Sequence, residues 1–247
     1  MQRVAIVTGG ASGIGKATAA LLAEHGAAVG ILDIDRPGAE AAAAAVVAGG
    51  GRAVAARCNV ADDRSVAGAV GAVVELFGAI DVLVNNAGVS GHNARLEDID
   101  RAAFDRMFDV DVRGALHCVQ AVLPTMRTKP DGRIVNISSN RGQVGFERSS
   151  HYGAAKAALL GFTKSWAREL APLGIKVNAI APGVVRSAMT LAYGEAALQE
   201  EAARNLLRRW AEPDEIALAV LYLVGPGGAF MTGQVLCPNG GDPIVGI

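Results

Sequence analysis

Short runs of β-branched and apolar residues alternate with longer amphipathic stretches along the whole chain. The runs are VAIV, AAVGILD, RAVAARC, IDVLVN, GRIVNIS, IKVNAIA and GQVLC, and seven strands alternating with helices predict a parallel sheet. The intervening stretches predict helices over roughly 13–25, 37–48, 62–77, 98–127, 151–172, 195–209 and 213–224. Right-handed crossovers then place helices on both faces of the sheet. The run AEAAAAAVVAGGG near 39–51 reads as a small-residue packing helix ended by glycine. No linker, charge block or long repeat divides the sequence, so 1–247 is expected to form a single domain.

Composition narrows the class. The chain has 51% hydrophobic residues, 31 Gly and 19% charged residues, which excludes a disordered chain and suits a sheet covered on both faces. A formal net charge of -1 offers no basic footprint for nucleic acid and no cationic face for a membrane surface. The expected partners are small molecules or further copies of the chain. The opening MQRVAIVTGG lacks the features of a signal peptide, and no apolar run approaches the roughly 20 residues of a membrane span, so a cytoplasmic protein is expected. Cys58, Cys118 and Cys237 are far apart and lack clustered His. They read as buried spacers, with no disulfide framework and no metal site.

The segment VAIVTGGASGIGKATAALLAEHGA sets Gly9, Gly13 and Gly15 between a predicted strand and a predicted helix, the context that a dinucleotide-binding loop requires. Glycines permit the tight turn and the close approach of backbone to pyrophosphate, and the helix N-terminus favours its charge. Thr8 and Ser12 are placed to tighten the loop. The next strand ends in Asp33, eighteen residues after Gly15, where a carboxylate accepts hydrogen bonds from ribose hydroxyls and repels a 2′-phosphate. Arg36 follows Ile34 and a second acid, Asp35, which is poor support for a phosphate-binding pair. NAD is therefore expected over NADP. The other role open to Asp33 is that of a solvated or capping acid at the strand end.

Candidate chemistry lies in SSNRGQVGFERSSHYGAAK. Tyr152 and Lys156 are four apart in a helix-forming run and share a face, and a cation beside a phenol favours its ionised form. Such a Tyr serves as general acid or base, and the hydroxyl of Ser139 on a neighbouring segment can hydrogen-bond the same substrate oxygen. Together they describe a carbonyl/alcohol site. Each residue alone also has an ordinary structural role open to it.

Taken in order, these pieces resemble the short-chain dehydrogenase/reductase family, in its single-domain branch of roughly 250 residues. The resemblance covers nearly the whole chain. It rests on Thr8, Gly9, Gly13 and Gly15, on Asn85-Asn86-Ala87-Gly88 after the fourth strand, on Ser139 thirteen residues before Tyr152 with Lys156 four further on, and on Pro182-Gly183 after the sixth strand. It implies a Rossmann-type doubly wound seven-stranded parallel sheet. It also implies NAD contacts from Thr8, Gly9, Ser12, Gly13, Ile14, Gly15, Asp33, Ile34, Asn59, Val60, Asn86, Ala87, Gly88, Tyr152, Lys156, Pro182, Gly183, Val185 and Ser187. Catalysis is implied to rest on Ser139, Tyr152, Lys156 and Asp111, the last standing where the family usually carries Asn. An ionised Asp there would accept from a relay water but not donate to it, and would add negative charge near Lys156. Asn59-Val60 stands where Asp-Val is common. The closing MTGQVLCPNGG resembles a strand that often helps build a tetramer, so a homo-oligomer, tetramer or dimer, is expected.

The implied activity is NAD-dependent hydride transfer between the nicotinamide and a secondary alcohol or ketone. Substrate contacts are expected from Ser139, Asn140, Arg141, Phe146 and Tyr152, with His92, Asn93, Met189 and Tyr193 nearby and roughly 187–211 acting as a lid. Arg141 has a second role open to it, an ion pair with a neighbouring acid. Two alternatives remain open at this point. One is a 3-oxoacyl-thioester reductase of fatty-acid type; the other is a nucleotide-binding sensor or scaffold with weakened catalysis, for which Asp111 is the only support.

Overall fold

The computed structural model describes residues 3–90 and 93–244. The seven expected strands are all present: β1 Val4–Thr8, β2 Ala28–Asp33, β3 Arg52–Arg57, β4 Val82–Asn85, β5 Arg133–Ile137, β6 Lys176–Ile180 and β7 Val235–Leu236. They form one parallel sheet in the order β3-β2-β1-β4-β5-β6-β7. The order reverses direction between β1 and β4, which opens a crevice at the carboxyl ends of those strands.

Helices α1 Gly13–Glu24, α2 Arg36–Ala48 and α10 Pro213–Val224 cover one face, and α3 Asp63–Phe77, α5 Gly114–Met126 and α7 Ser150–Leu170 cover the other. Successive strand residues feed opposite cores. Ile6, Leu83 and Ile134 pack with α3, α5 and α7, while Val7, Val84 and Val135 pack with α1, α2 and α10. The strands therefore read as nearly continuous apolar runs. No helix among the described residues is long and apolar enough to cross a membrane.

Three expectations change. The single helix predicted over 98–127 is α4 Arg101–Met107, a π-helical turn Phe108–Arg113 and α5, because the widened turn swings Asp111 inward to full burial. The helix predicted over 195–209 shortens to α9 Glu195–Ala202. Two short helices were not predicted, α6 Arg141–Val144 and α8 Ala188–Leu191.

Inside the α7 face, the Asn85 amide donates to Asn136 Oδ1 at 2.9 Å and the Asn136 amide donates to Thr163 Oγ1 at 2.9 Å. These bonds fix the register of β4 against β5 and dock α7 on both. At the amino ends of the strands, Asp131 gathers Arg3, Arg133 and Lys176, the last at 2.8 Å. Burial opposes ionisation of Asp131, but hydrogen bonds from Lys176 and Arg133, the Arg133 charge and Arg3 outweigh it and hold the carboxyl well below the usual carboxylate range. A carboxyl depressed in the folded state stabilises above its unfolded value, near 3.9, and loses that contribution as pH falls. Asp131→Asn is expected to lower the melting temperature at neutral pH, and its difference from the parent protein should shrink below about pH 4, as followed by thermal unfolding across a pH series.

Candidate active site

A cleft of about 790 Å³ lies across the carboxyl ends of the strands. Its wall is made of the residues that leave each strand: Gly9, Ser12, Gly13 and Ile14 after β1, Asp33 and Ile34 at β2, Cys58 to Ala61 after β3, Asn86 to Val89 after β4, Ile137 to Ser139 at β5, and Pro182, Gly183, Val185 and Ser187 after β6. Tyr152 and Lys156 reach it from α7.

The glycine loop is held from behind. Thr8, buried, donates its hydroxyl to the Val84 carbonyl and accepts the backbone N–H groups of Asn86 and Ala87, each at 3.0 Å. The Asn86 amide donates to the Thr8 and Gly9 carbonyls at 2.9 and 3.0 Å. Gly9 and Gly13 have φ of 63° and 50°, the left-handed region that suits glycine. A Cβ on Gly15 would overlap the Gly9 carbonyl oxygen. Thr8 and Gly15 therefore stand behind the cleft wall, the first as a brace and the second as the point where α1 comes close to the loop.

Ser12 caps α1 by backbone alone, with no side-chain hydrogen bond, so the first-turn N–H groups face the cleft free for an anion. At the cleft's β2 side, Asp33 accepts from the Ala11 and Asp35 N–H groups, both at 3.0 Å, which orients its carboxylate. Arg36 turns to Glu40 at 2.7 Å, and Arg57, the β3 register partner of Asp33, is exposed and outside the wall. Asn59 closes a local turn, accepting from the Ala61 N–H at 3.2 Å. Burial, with Asp33 and Asp62 nearby, pushes the Cys58 thiol up to about 11, so it stays protonated.

On the opposite side, the Ser138 hydroxyl donates to the Lys156 carbonyl at 2.8 Å, which ties β5 to α7 and brings Ser139, Tyr152 and Lys156 to one wall. Ser139 Oγ accepts from the Arg141 N–H at 3.2 Å and donates to Asn140 Oδ1 at 3.2 Å. The Lys156 ammonium, buried, stands 2.9 Å from Asp111 Oδ2, donates to the Ile137 carbonyl at 3.3 Å and lies 5.6 Å from the centre of the Tyr152 ring. Burial alone disfavours this ammonium, but the charges of Asp111 and Tyr152 and the contact with Asp111 override it and push Lys156 above its ordinary value.

Several expected substrate residues are elsewhere. Asn140 donates to the Asp242 carbonyl at 3.1 Å. Arg141 opens α6, pairs with Glu201 of α9 at 2.9 Å and stacks 4.3 Å over the Phe146 ring. None of Asn140, Arg141 and Phe146 is part of the cleft wall, because α6 turns the chain away directly after Ser139. Met189 is on the wall, whereas Asn93 is not. Tyr193 lies outside the wall and donates from its hydroxyl to Ser90 at 2.9 Å, joining the segment that follows Leu191 to the segment after β4. His92 lies outside the described residues. Sequence reasoning missed Val89, Ala188 and Thr190, and also Ala102, Asp105, Arg106 and Asp109, which line the cleft from α4 and the π turn. The spacing 102, 105–106, 109 is one helical face, and that periodicity was the available signal. No group of three or more His, Cys, Asp or Glu that could hold a metal is found among the described residues.

The family profile described as enoyl-(acyl carrier protein) reductase matches residues 9–242. The chain is 42% identical over 240 residues to cis-4-hydroxycyclohexanecarboxylate dehydrogenase of Sinomonas cyclohexanicum, covering 97% of this chain and 96% of the relative. Among solved structures, levodione reductase superposes with a TM-score of 0.94 at 34% identity, covering 97% of both chains. The 3-ketoacyl-(acyl-carrier-protein) reductase of Brucella melitensis, complexed with NADH, superposes with a TM-score of 0.92 at 30% identity, covering 98% of both chains. The protein belongs to the short-chain dehydrogenase/reductase family, whose members are oxidoreductases that bind a nicotinamide cofactor.

The residues present fit such a cofactor: free N–H groups at the α1 N-terminus, glycines that leave room beside them, and an oriented carboxylate at Asp33. Because Asn86 holds the loop to β4, Asn86→Ala is expected to cost about 1–3 kcal/mol of stability and to weaken NADH binding, as read by thermal unfolding with and without NADH.

Proposed function

We propose that the protein is an NAD-dependent dehydrogenase/reductase that interconverts a secondary alcohol and its ketone, with an alicyclic ring as the first substrate class to consider. The observation that carries the reading is the meeting of Ser139, Tyr152 and Lys156 on one wall of the cleft that also holds the glycine loop and Asp33. The ring assignment takes its support from the hydroxycyclohexanecarboxylate dehydrogenase relative. The preference for NAD is supported by the fixed Asp33 carboxylate and by the engagement of Arg36 with Glu40. A 2′-phosphate beside Asp33 would meet like charge with no free cation from Arg36.

A nicotinamide cofactor held by the glycine loop and Asp33 would supply the hydride-transfer chemistry that interconverts the alcohol and the ketone. Tyr152 takes the hydroxyl proton of the alcohol in one direction and donates it to the ketone oxygen in the other. Ser139 hydrogen-bonds the same oxygen and orients it. The Lys156 ammonium favours the negative charge on the Tyr152 oxygen and offers N–H groups to the cofactor ribose. Val89, Ala188 and Met189 supply apolar wall. Leu218 and Tyr222 on α10, with Phe230, leave apolar surface exposed, which supports assembly of further copies of the chain. The 3-oxoacyl-thioester reductase reading keeps support from the Brucella melitensis structure.

The test is turnover with NAD and NADP against alicyclic secondary alcohols and 3-oxoacyl thioesters. NAD-linked oxidation of the alicyclic alcohols is expected, and NADPH-linked reduction of the thioesters alone would replace this reading with the second. Tyr152→Phe should cut kcat by about 10²–10⁴-fold with NADH binding kept; unchanged turnover would remove Tyr152 from the reaction. Asp33→Ala, losing charged hydrogen bonds of about 1.5–3 kcal/mol, should raise KM for NAD at least about tenfold and narrow the gap to NADP.

A further inference from the structure

The buried ion pair beneath the Tyr152 phenol has a consequence for when that phenol can accept a proton. Lys156 and Asp111 have side-chain exposures of 7% and 0%, so neither charge is screened by solvent. Opposite charges at 2.9 Å act on a third group as a dipole rather than as a free cation, and the field that favours a phenolate is reduced accordingly. The pair is built into the backbone around it. Asp111 Oδ1 accepts from the Val89 N–H at 2.8 Å. The neighbouring Gly88 leaves the space in which a Cβ would stand 3.0 Å from Asp111 Oδ2 and 3.1 Å from Lys156 Nζ.

The charged and titratable groups acting on Lys156 are few. Asp111 arrives from the π turn and Tyr152 from α7 itself, while β5 contributes only the Ile137 carbonyl and the β4 segment Gly88-Val89 contributes no charge. The cleft's other titratable side chains, Asp33, Cys58, Asp105, Arg106 and Asp109, are not among the charges that act on Lys156. Apart from Tyr152 itself, Asp111 is the group among the described residues that offsets the ammonium.

We propose that Asp111 is a positioning residue: its carboxylate holds the Lys156 ammonium in a buried ion pair at 2.9 Å and offsets the positive field that this ammonium presents to the Tyr152 oxygen. Asp111 touches neither substrate nor reacting atoms and works through Lys156 alone. The pair keeps Lys156 charged and fixed, so the ammonium serves as a stationary donor. This rests on the reading of Tyr152 as the acid/base.

Asp111→Asn is the direct test, because Asn keeps an acceptor for the Val89 N–H and removes only the charge. Tyrosinate absorbance is titrated in the parent protein and in Asp111→Asn, each against its Tyr152→Phe counterpart, with Asp111→Ser as a second neutral variant and circular dichroism to establish folding. The Tyr152 tyrosinate is expected at lower pH in both neutral variants, by about one unit or more, and the acid limb of kcat/KM for alcohol oxidation should move with it. A tyrosinate signal at the same pH as in the parent protein overturns the proposal. If the signal shifts while no secondary alcohol is oxidised by any of the proteins, the ion pair keeps its role and the dehydrogenase reading falls. If oxidation occurs with an unmoved acid limb and an unmoved signal, the dehydrogenase reading stands and the role of Asp111 falls.

Discussion

Five hydrogen bonds between the ends of β1 and β4, made by Thr8 and Asn86 with Val84, Ala87 and Gly9, hold the two halves of the cleft together. β1 leads into the glycine loop and β4 leads to Gly88 and Val89, so one short brace sets the distance between the anion-binding end of α1 and the wall that receives Asp111. The Thr8 hydroxyl is buried and fully used, donating once and accepting twice. Neither Thr8 nor the Asn86 amide can be lost without leaving buried backbone groups unpaired.

From that brace outward, polar contacts place the groups proposed to react. Asn85, Asn136 and Thr163 fix α7 on β4 and β5 within an otherwise apolar core, and Ser138 then locks the turn of α7 that carries Lys156. Such buried polar links are tolerated because each amide finds its partner. Apolar burial alone would hold α7 against the sheet but leave its position along the strands less well specified. The ion cluster around Asp131 does comparable work at the amino ends of the strands, far from the chemistry.

Electrically, the cleft is divided. The α1 N-terminus and its free N–H groups favour negative charge, while Asp33 gives the β2 side an anion suited to neutral hydroxyls. The catalytic wall holds a cation whose charge is offset by Asp111. A site built this way suits a charged cofactor at one end and keeps the other nearly neutral in net charge, which fits the proton transfer proposed for Tyr152.

The sequence by itself determined the strands, their parallel arrangement, the loop bearing Gly9 and Gly13, and the pairing of Tyr152 with Lys156. Each of these follows from a local rule: short continuous apolar runs for strands buried on both faces, period-3.6 burial for helices, glycine's access to positive φ, and the common face of residues four apart. Ser139 was legible only through its spacing to Tyr152 in a resemblance, not from local chemistry. The resemblance set Asp111 near Lys156, but tertiary structure alone decided that the two form a direct buried ion pair, because a π-helical turn inside a predicted continuous helix swings the carboxylate inward. It also decided that Arg141 is occupied by Glu201 and Phe146 and that Asn140 turns to Asp242, so none of the three expected side chains after Ser139 lines the cleft. Periodicity reports which residues share a face of one element; which face of another element they meet is set by packing across the sheet, and no local pattern encodes that.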